Sequence, residues 1–121
     1  AIDAGQLAFD FSGWARSFLQ NPADTSTFLV TLLDSQSTTL LAYDSGALSS
    51  TGSWQQVQTR LLAPAGTRTV RIDLLATRFA GSNNDGYFDG LSLVATPVPE
   101  PATAWLMAVG GLAFLARRRL R

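Results

Sequence analysis

The chain of 121 residues contains no cysteine, no histidine and no lysine. Without cysteine it can form no disulfide, no thiol nucleophile and no iron–sulfur site. Without histidine it lacks the commonest general base, the Ser-His-Asp triad and nearly all catalytic zinc sites. The absence of lysine removes Schiff-base chemistry and the lysine of a phosphate-binding loop. Carboxylates, arginines, hydroxyls and three tryptophans remain, and this inventory predicts that the protein is not an enzyme.

Charge is divided unevenly along the chain. All nine basic residues are arginines, and four of them lie in the last five positions: Arg117, Arg118, Arg119 and Arg121. Residues 1–100 carry the other five arginines against nine acidic residues, a formal balance of −4. An acidic region of this kind argues against a nucleic-acid partner, which requires a basic surface. Beside an apolar run, the arginine cluster is better explained as the flank of a membrane segment.

The C-terminal part, residues 96–121, has three sections: a proline-rich linker (96–101), an uncharged apolar run (102–116) and a basic tail (117–121). A helix over 102–116 would be about 22 Å long, shorter than the ~30 Å hydrocarbon core of a bilayer. Length alone would also fit a buried core helix or the apolar part of a signal peptide. Apolar residues surround the whole helix, however, and arginines can snorkel to extend its span. We therefore predict a single C-terminal transmembrane helix with the arginine tail in the cytoplasm and residues 1–100 outside.

The order of these sections resembles the PEP-CTERM sorting signal of Gram-negative bacteria. The motif residues are Val98, Pro99, Glu100 and Pro101, directly before the apolar run. The resemblance implies two partners, an exosortase-type membrane enzyme that processes the tail and the lipid of the inner membrane. It also implies a domain that lies in the periplasm before processing and at the outer surface or in the extracellular matrix afterwards. The alternative is a plain single-span anchor without a sorting role.

No signal peptide is visible in residues 1–5, which have neither a basic start nor an apolar stretch. A protein with an outward-facing C-terminal anchor must be exported. We therefore expect that the chain is a fragment or a processed form whose original N-terminus is missing.

Residues 1–95 contain short segments in which apolar and polar residues alternate, the period of half-buried strands. These segments are 7–12, 14–18, 28–33, 40–44, 54–62, 70–76 and 87–95. Serine-, glycine- and proline-rich loops separate them, and Ser12-Gly13 is expected to form a bulge that keeps Trp14 in phase with Phe11. No segment before residue 102 has helical periodicity. The pattern predicts one all-β, antiparallel sandwich over residues 1–95.

Four segments of this domain resemble the second half of a jelly-roll module of the carbohydrate-binding or galactose-binding-like type. They are residues 11–17, 30–34, 43–46 and 83–93, the last containing Asn-Asp-Gly-Tyr-Phe-Asp. The resemblance implies a jelly-roll-like sandwich, and such modules usually carry further strands at the front. We therefore expect either that N-terminal strands are lacking or that an edge strand lies open, which is an association hazard.

Asp89 is the leading candidate for a functional carboxylate. Alternation places it on one face with Tyr87, Leu91 and Leu93, and a carboxylate that faces a core needs a cation. Arg71 or Arg78 could supply one. Alternatively, a structural calcium ion, which jelly-roll modules often hold, could bind a predicted set of carboxylates: Asp10, Asp85 and Asp89. An exposed Asp89, in a strand whose phase differs by one residue, is the remaining alternative.

Large aromatic residues suggest a sugar-binding surface, because flat apolar rings stack on pyranose faces. The predicted glycan contacts are Trp14, Tyr43, Trp54 and Arg78, while core packing is the other use of such rings. Three hypotheses follow for the domain: a structural or weakly adhesive surface protein associated with exopolysaccharide, a carbohydrate-binding module on the same anchor, or a subunit of a surface fibre. Asp85 and Asp89 are too close in sequence to favour a glycosidase pair.

Overall fold

The computed structural model describes residues 1–99. They form six strands: β1 Leu7–Ser17, β2 Thr25–Leu33, β3 Thr39–Asp44, β4 Gln55–Leu62, β5 Thr69–Thr77 and β6 Gly86–Pro97. The predicted helix over 102–116, the arginine tail, and Glu100 and Pro101 of the motif lie outside the described residues. Within residues 1–99 there is no helix with the length and apolarity needed to span a bilayer.

The strands form two antiparallel sheets of three strands each. One sheet has the order β4-β1-β6, called here the front sheet, and the other has the order β3-β2-β5, called the back sheet. Both sheets contribute to one buried cluster, so the all-β antiparallel prediction is confirmed. Phe28 of the back sheet lies at its centre, edge-on to Phe11 at 5.7 Å and to Phe88 at 5.1 Å between ring centroids.

Strand β1 alternates without interruption, contrary to the predicted bulge at Ser12-Gly13. Phe11, Gly13 and Ala15 all face the core, and Trp14 therefore points outward. Gly13 is required here because a Cβ atom would lie 2.7 Å from the Phe28 ring. The glycine thus lets the central phenylalanine approach the front sheet.

The bulge lies on the neighbouring strand, β6. Ser12 pairs with Ser92 but Trp14 pairs with Asp89, so β6 has one extra residue at this point. Gly90 occupies it with a positive φ of 58°, as in bulges that use a left-handed glycine. The extra residue reverses the alternation: Phe88 faces inward before it, and Leu93 faces inward after it.

The prediction that Asp89 faces the core is therefore wrong. Asp89 lies on the outer face with Tyr87 and is exposed. Its Oδ1 accepts a hydrogen bond from the backbone N–H of Gly90 at 2.8 Å. The proposed arginine partners have other contacts, because Arg71 pairs with Asp73 at 3.1 Å and Arg78 donates to backbone carbonyls of its own loop. Side chains alternate between the two faces of a strand, and the extra residue of a bulge shifts this alternation by one. A sequence pattern that ignores the bulge therefore assigns the residues on one side of it to the wrong face.

Both sheets end in an edge strand on the same side of the sandwich, where β5 and β6 contact each other. Apolar side chains on their inner faces remain partly uncovered. Leu74 is 41% exposed, Leu91 42% and Leu93 39%. We call this side, formed by the outer edges of β5 and β6 with these three leucines, the open flank.

Candidate functional site

Six side chains converge on the outer face of the front sheet. Trp14 lies between Gln56 of β4 and Asp89 of β6, and Arg16 lies beside Tyr87 of β6. Trp54 directly precedes β4 and lies on the same face as Arg16 and Tyr87. We call this surface the aromatic groove; its members are Trp14, Arg16, Trp54, Gln56, Tyr87 and Asp89.

The three rings of the aromatic groove are neither fully buried nor fully exposed. Trp14 is 38% exposed, Trp54 39% and Tyr87 40%. Trp14, Trp54 and Asp89 line a depression of about 310 Å³. Trp54 also lines a neighbouring depression of about 440 Å³ with Arg16 and Tyr87. The two depressions therefore share Trp54 as a lining residue, and both are open to solvent.

The same face continues along β1 beyond the rings. A further depression of about 450 Å³ is lined there by polar groups of all three front strands, including Ser12, Gln58 and Ser92. It ends at Asp10 and Arg60, whose side chains form a two-bonded ion pair at 2.7 and 3.0 Å. The outer face thus offers aromatic surface at one end and hydrogen-bonding groups at the other.

Gly90 determines where the Trp14 ring lies. A Cβ atom at this position would come within 2.9 Å of the indole Cδ1. The bulge therefore has two effects on the groove: it turns Asp89 outward and it leaves room for the indole against the backbone. Neither effect can be read from residue spacing, because both depend on the pairing of β1 with β6.

Tyr87 is held by a neighbouring acid. Its hydroxyl donates a hydrogen bond to Asp85 Oδ1 at 3.1 Å. Desolvation, followed by this bond to Asp85, raises the pKa of Tyr87 above its usual value. A tyrosine is already neutral at physiological pH, and this shift favours the neutral form further.

Asp24 organises the loop that leads into β6, and the sequence did not reveal it. The residue is fully buried. Its Oδ1 accepts hydrogen bonds from the N–H groups of Phe79 (2.7 Å) and Ala80 (3.2 Å), and Oδ2 accepts one from Asp85 (2.9 Å). These hydrogen bonds, of which the one from Phe79 has the largest effect, lower the pKa of Asp24. Asp24 thereby places Asp85, and through it Tyr87, although it lies in what the sequence predicts to be an ordinary loop.

Of the predicted glycan contacts, the structure brings Trp14 and Trp54 together and separates the other two. Tyr43 belongs to β3 of the back sheet, pairs with Val30 and packs against the core. Arg78 lies in the loop before β6 and donates hydrogen bonds to the carbonyls of Gly81 and Ser82. The alternation of β3 turns Tyr43 inward, so the third ring of the surface is Tyr87 instead.

The predicted calcium set is also separated. Asp10 accepts bonds from Arg60 and from the Thr96 hydroxyl at 2.6 Å, and Arg60 chiefly lowers its pKa to about 2. Asp89 pairs with Trp14, four residues along β1 from Asp10, a distance of roughly 13 Å in a strand. Asp85 contacts Tyr87 at the far end. Among residues 1–99, no three acidic side chains are grouped closely enough to hold a metal ion.

The last described residues connect the sandwich to the C-terminal motif. Pro97 ends β6 opposite Leu7, and the N–H of Val98 donates a hydrogen bond to the Gln6 carbonyl at 2.8 Å. Residues 97–119 match the PEP-CTERM protein-sorting motif. No curated protein and no solved structure matches the chain. The motif supports exosortase-dependent sorting of a secreted or surface protein of a Gram-negative bacterium.

Proposed function

We propose that this protein is an exported surface protein whose C-terminus is a temporary anchor. The segment 102–116 spans the inner membrane with its arginine flank in the cytoplasm, and the sandwich faces the periplasm. An exosortase then cuts the chain at or near Pro99-Glu100-Pro101 and passes the domain to the outer surface or the extracellular matrix. The match over residues 97–119 carries this proposal.

The junction between sandwich and motif supports the same assignment. All six strands precede Val98, so a cut at or beyond Pro99 leaves every strand in the released product. The Val98–Gln6 hydrogen bond lies immediately before Pro99-Glu100-Pro101. Sorting can therefore remove the tail without opening either sheet.

Processing can be tested in paired hosts, one with its exosortase and one with that gene deleted. We expect a shortened mature protein only in the first host, and retention of the full mass in its membranes after Glu100→Ala. Thr103→Ala, outside the Pro-Glu-Pro motif, serves as the matched control and should be processed normally. Identical masses in the two hosts would refute exosortase processing.

The second part of the proposal is that the sandwich contacts polysaccharide through the aromatic groove, as a jelly-roll module of the carbohydrate-binding type would. The observation that favours it is the clustering of Trp14, Trp54 and Tyr87 on one outer face, each about two-fifths exposed. The exposed part of each ring is apolar surface that a ligand could cover. Exposed apolar surface with a polar rim is typical of binding sites.

The chemistry of the groove fits a chain of pyranose rings. Aromatic faces cover the apolar C–H faces of a sugar, and Arg16, Gln56 and Asp89 can donate to or accept from its hydroxyls. The polar depression farther along β1 extends the surface for additional sugar units. Because every depression is open to solvent, each contact is weak, and a long polymer gains affinity by repeating it.

Binding can be measured with the full chain in detergent and exopolysaccharide purified from the producing host. We expect Trp14→Ala and Trp54→Ala each to weaken binding about tenfold, which corresponds to ~1.4 kcal/mol. Phe79→Ala is the control, since Phe79 is an exposed aromatic residue outside the groove. If neither tryptophan variant differs from the wild type, the groove is not the binding surface; the sorting proposal is unaffected by that result.

A further inference from the structure

The open flank combines two features that rarely stay uncovered in a folded protein. Within residues 1–99, no strand pairs with the outer edge of β5 or of β6. Free edges of this kind accept another strand unless charges, proline or a covering element guard them. The inner faces beside these edges present Leu74, Leu91 and Leu93, each about 40% exposed. The flank therefore offers both unpaired backbone and apolar surface.

The pairing of the strands indicates what belongs there. β2 and β3 pair as an inner hairpin in the back sheet, and β1 and β4 pair around it in the front sheet. Each pair therefore joins the strand just before the previous pair to the strand just after it, and successive pairs alternate between the two sheets. By the same rule, a strand immediately before β1 would pair with β5 in the back sheet. A strand before that one would pair with β6 in the front sheet.

The course of the first residues agrees with this order. A strand antiparallel to β5 would end beside Thr69, where β5 begins. Residues at the N-terminus lie at that end: Asp3 accepts a hydrogen bond from the Gly66 N–H at 2.7 Å and pairs with Arg68 at 2.8 Å. Ile2 packs against the core cluster. A polypeptide joined to Ala1 would therefore arrive at the end of the flank where such a strand would finish.

We propose that the open flank receives two β-strands from the polypeptide immediately N-terminal to Ala1, one paired with β5 and the other with β6. Each carries alternating apolar and polar residues, and its apolar side chains cover Leu74, Leu91 and Leu93. The two sheets then have four strands each, as in a jelly roll built from two Greek keys. The inference is independent of the sorting and polysaccharide proposals.

Thiol labelling tests this directly, because the chain has no cysteine of its own. Leu93→Cys and Leu74→Cys are made in two forms of the protein, one starting at Ala1 and one carrying the proposed N-terminal extension. We expect a maleimide to react with both cysteines at least about tenfold more slowly in the longer form, as protected core positions do. Leu62→Cys, exposed on the outer face of β4, should react equally in both.

A charge provides the second readout. Leu93→Asp should leave the melting temperature of the form starting at Ala1 nearly unchanged and lower that of the longer form, since only the latter buries the carboxylate. Leu62→Asp should be neutral in both. The proposal is overturned by equal labelling of the two forms, by a mature host protein whose first residue is Ala1, or by protection in the Ala1 form that increases with concentration. The last result would assign the flank to a second copy of the chain.

Discussion

Asp24 is the residue on which the loop between β5 and β6 depends. Both of its carboxylate oxygens accept backbone hydrogen bonds, from Phe79 and Ala80 on one side and from Asp85 on the other. An amide has only one accepting oxygen. We expect Asp24→Asn to lose the bond to Asp85, lower the melting temperature by several degrees and accelerate hydrogen exchange of residues 79–86.

Asp34→Asn is the matched control for that variant. Oδ1 of Asp34 alone accepts the hydrogen bonds from Gln36 and Thr38 in an exposed turn, so asparagine can keep both. Similar melting temperatures for the two variants would show that Asp24 does not organise the loop.

The ion pairs predict how stability depends on pH. The pKa of Asp3, lowered chiefly by Arg68, and that of Asp10, lowered chiefly by Arg60, are both about 2 in the folded protein. Because these values lie below the ordinary 3.8, the pairs stabilise the fold fully above pH ~4. The contribution is lost as pH falls from ~4 toward ~2.

Urea unfolding between pH 6 and pH 2 measures this loss. The midpoint should stay level down to pH ~4 and then decrease, and the decrease should be smaller in Asp10→Asn and at high salt, since both pairs are exposed. A midpoint that rises on acidification would contradict the assigned pKa directions.

At the scale of the strand, alternation in the sequence was a sound guide wherever the backbone stayed regular. The segments predicted as strands over 28–33 and 70–76 lie wholly within β2 and β5, and the segment 54–62 begins one residue before β4. Errors arose at irregular points: the expected bulge at Ser12-Gly13 lies instead at Gly90 on β6. An extra residue can be located only against a pairing partner, and the partner of a strand is not encoded in its own period. The faces of Trp14 and Asp89 were misjudged for this one reason.

The bulge itself can be tested by Gly90→Ala. A side chain in this left-handed conformation costs about 1–2 kcal/mol, and here its Cβ also meets the Trp14 ring at 2.9 Å. We expect loss of stability together with an altered tryptophan fluorescence spectrum and weaker polysaccharide binding.

Gly46→Ala is the control that separates the backbone strain of a positive φ from the contact with the Trp14 ring. Gly46 also has a positive φ, of 73°, but nothing lies within 4 Å of its virtual Cβ. It should therefore lose stability without the change in fluorescence or binding. If both variants alter the fluorescence equally, the close approach of Gly90 does not position Trp14.

The domain formed by residues 1–99 depends on one small core shared by two three-stranded sheets. Phe28 is fully buried between them and contacts Phe11 and Phe88. Phe28→Ala should cost about 3–5 kcal/mol, a large part of the stability of a small domain. Chemical denaturation checks this, with the exposed Phe18→Ala expected to remain within about 0.5 kcal/mol of wild type.

Sequence reasoning reached the class of the fold more readily than its contacts. Short alternating segments without helical period sufficed for an antiparallel all-β domain, and Pro99-Glu100-Pro101 beside an apolar run sufficed for the sorting motif. The aromatic groove was only half foreseen, because Tyr87 joins Trp14 and Trp54 through the register of β6 against β1. The role of Asp24 depends on a loop more than fifty residues away, a distance that no local pattern spans.

The direction in which β6 leaves the sandwich has a mechanical consequence. Its C-terminal end continues directly into the sorting motif, and it runs antiparallel to β1 over most of its length. Traction on the tail therefore acts along the strand, perpendicular to the hydrogen bonds of the β1–β6 ladder. Under such shear the bonds share the load and must fail together, whereas peeling from the side would break them one after another. A pull on the C-terminal end of this domain is thus carried along its stronger axis.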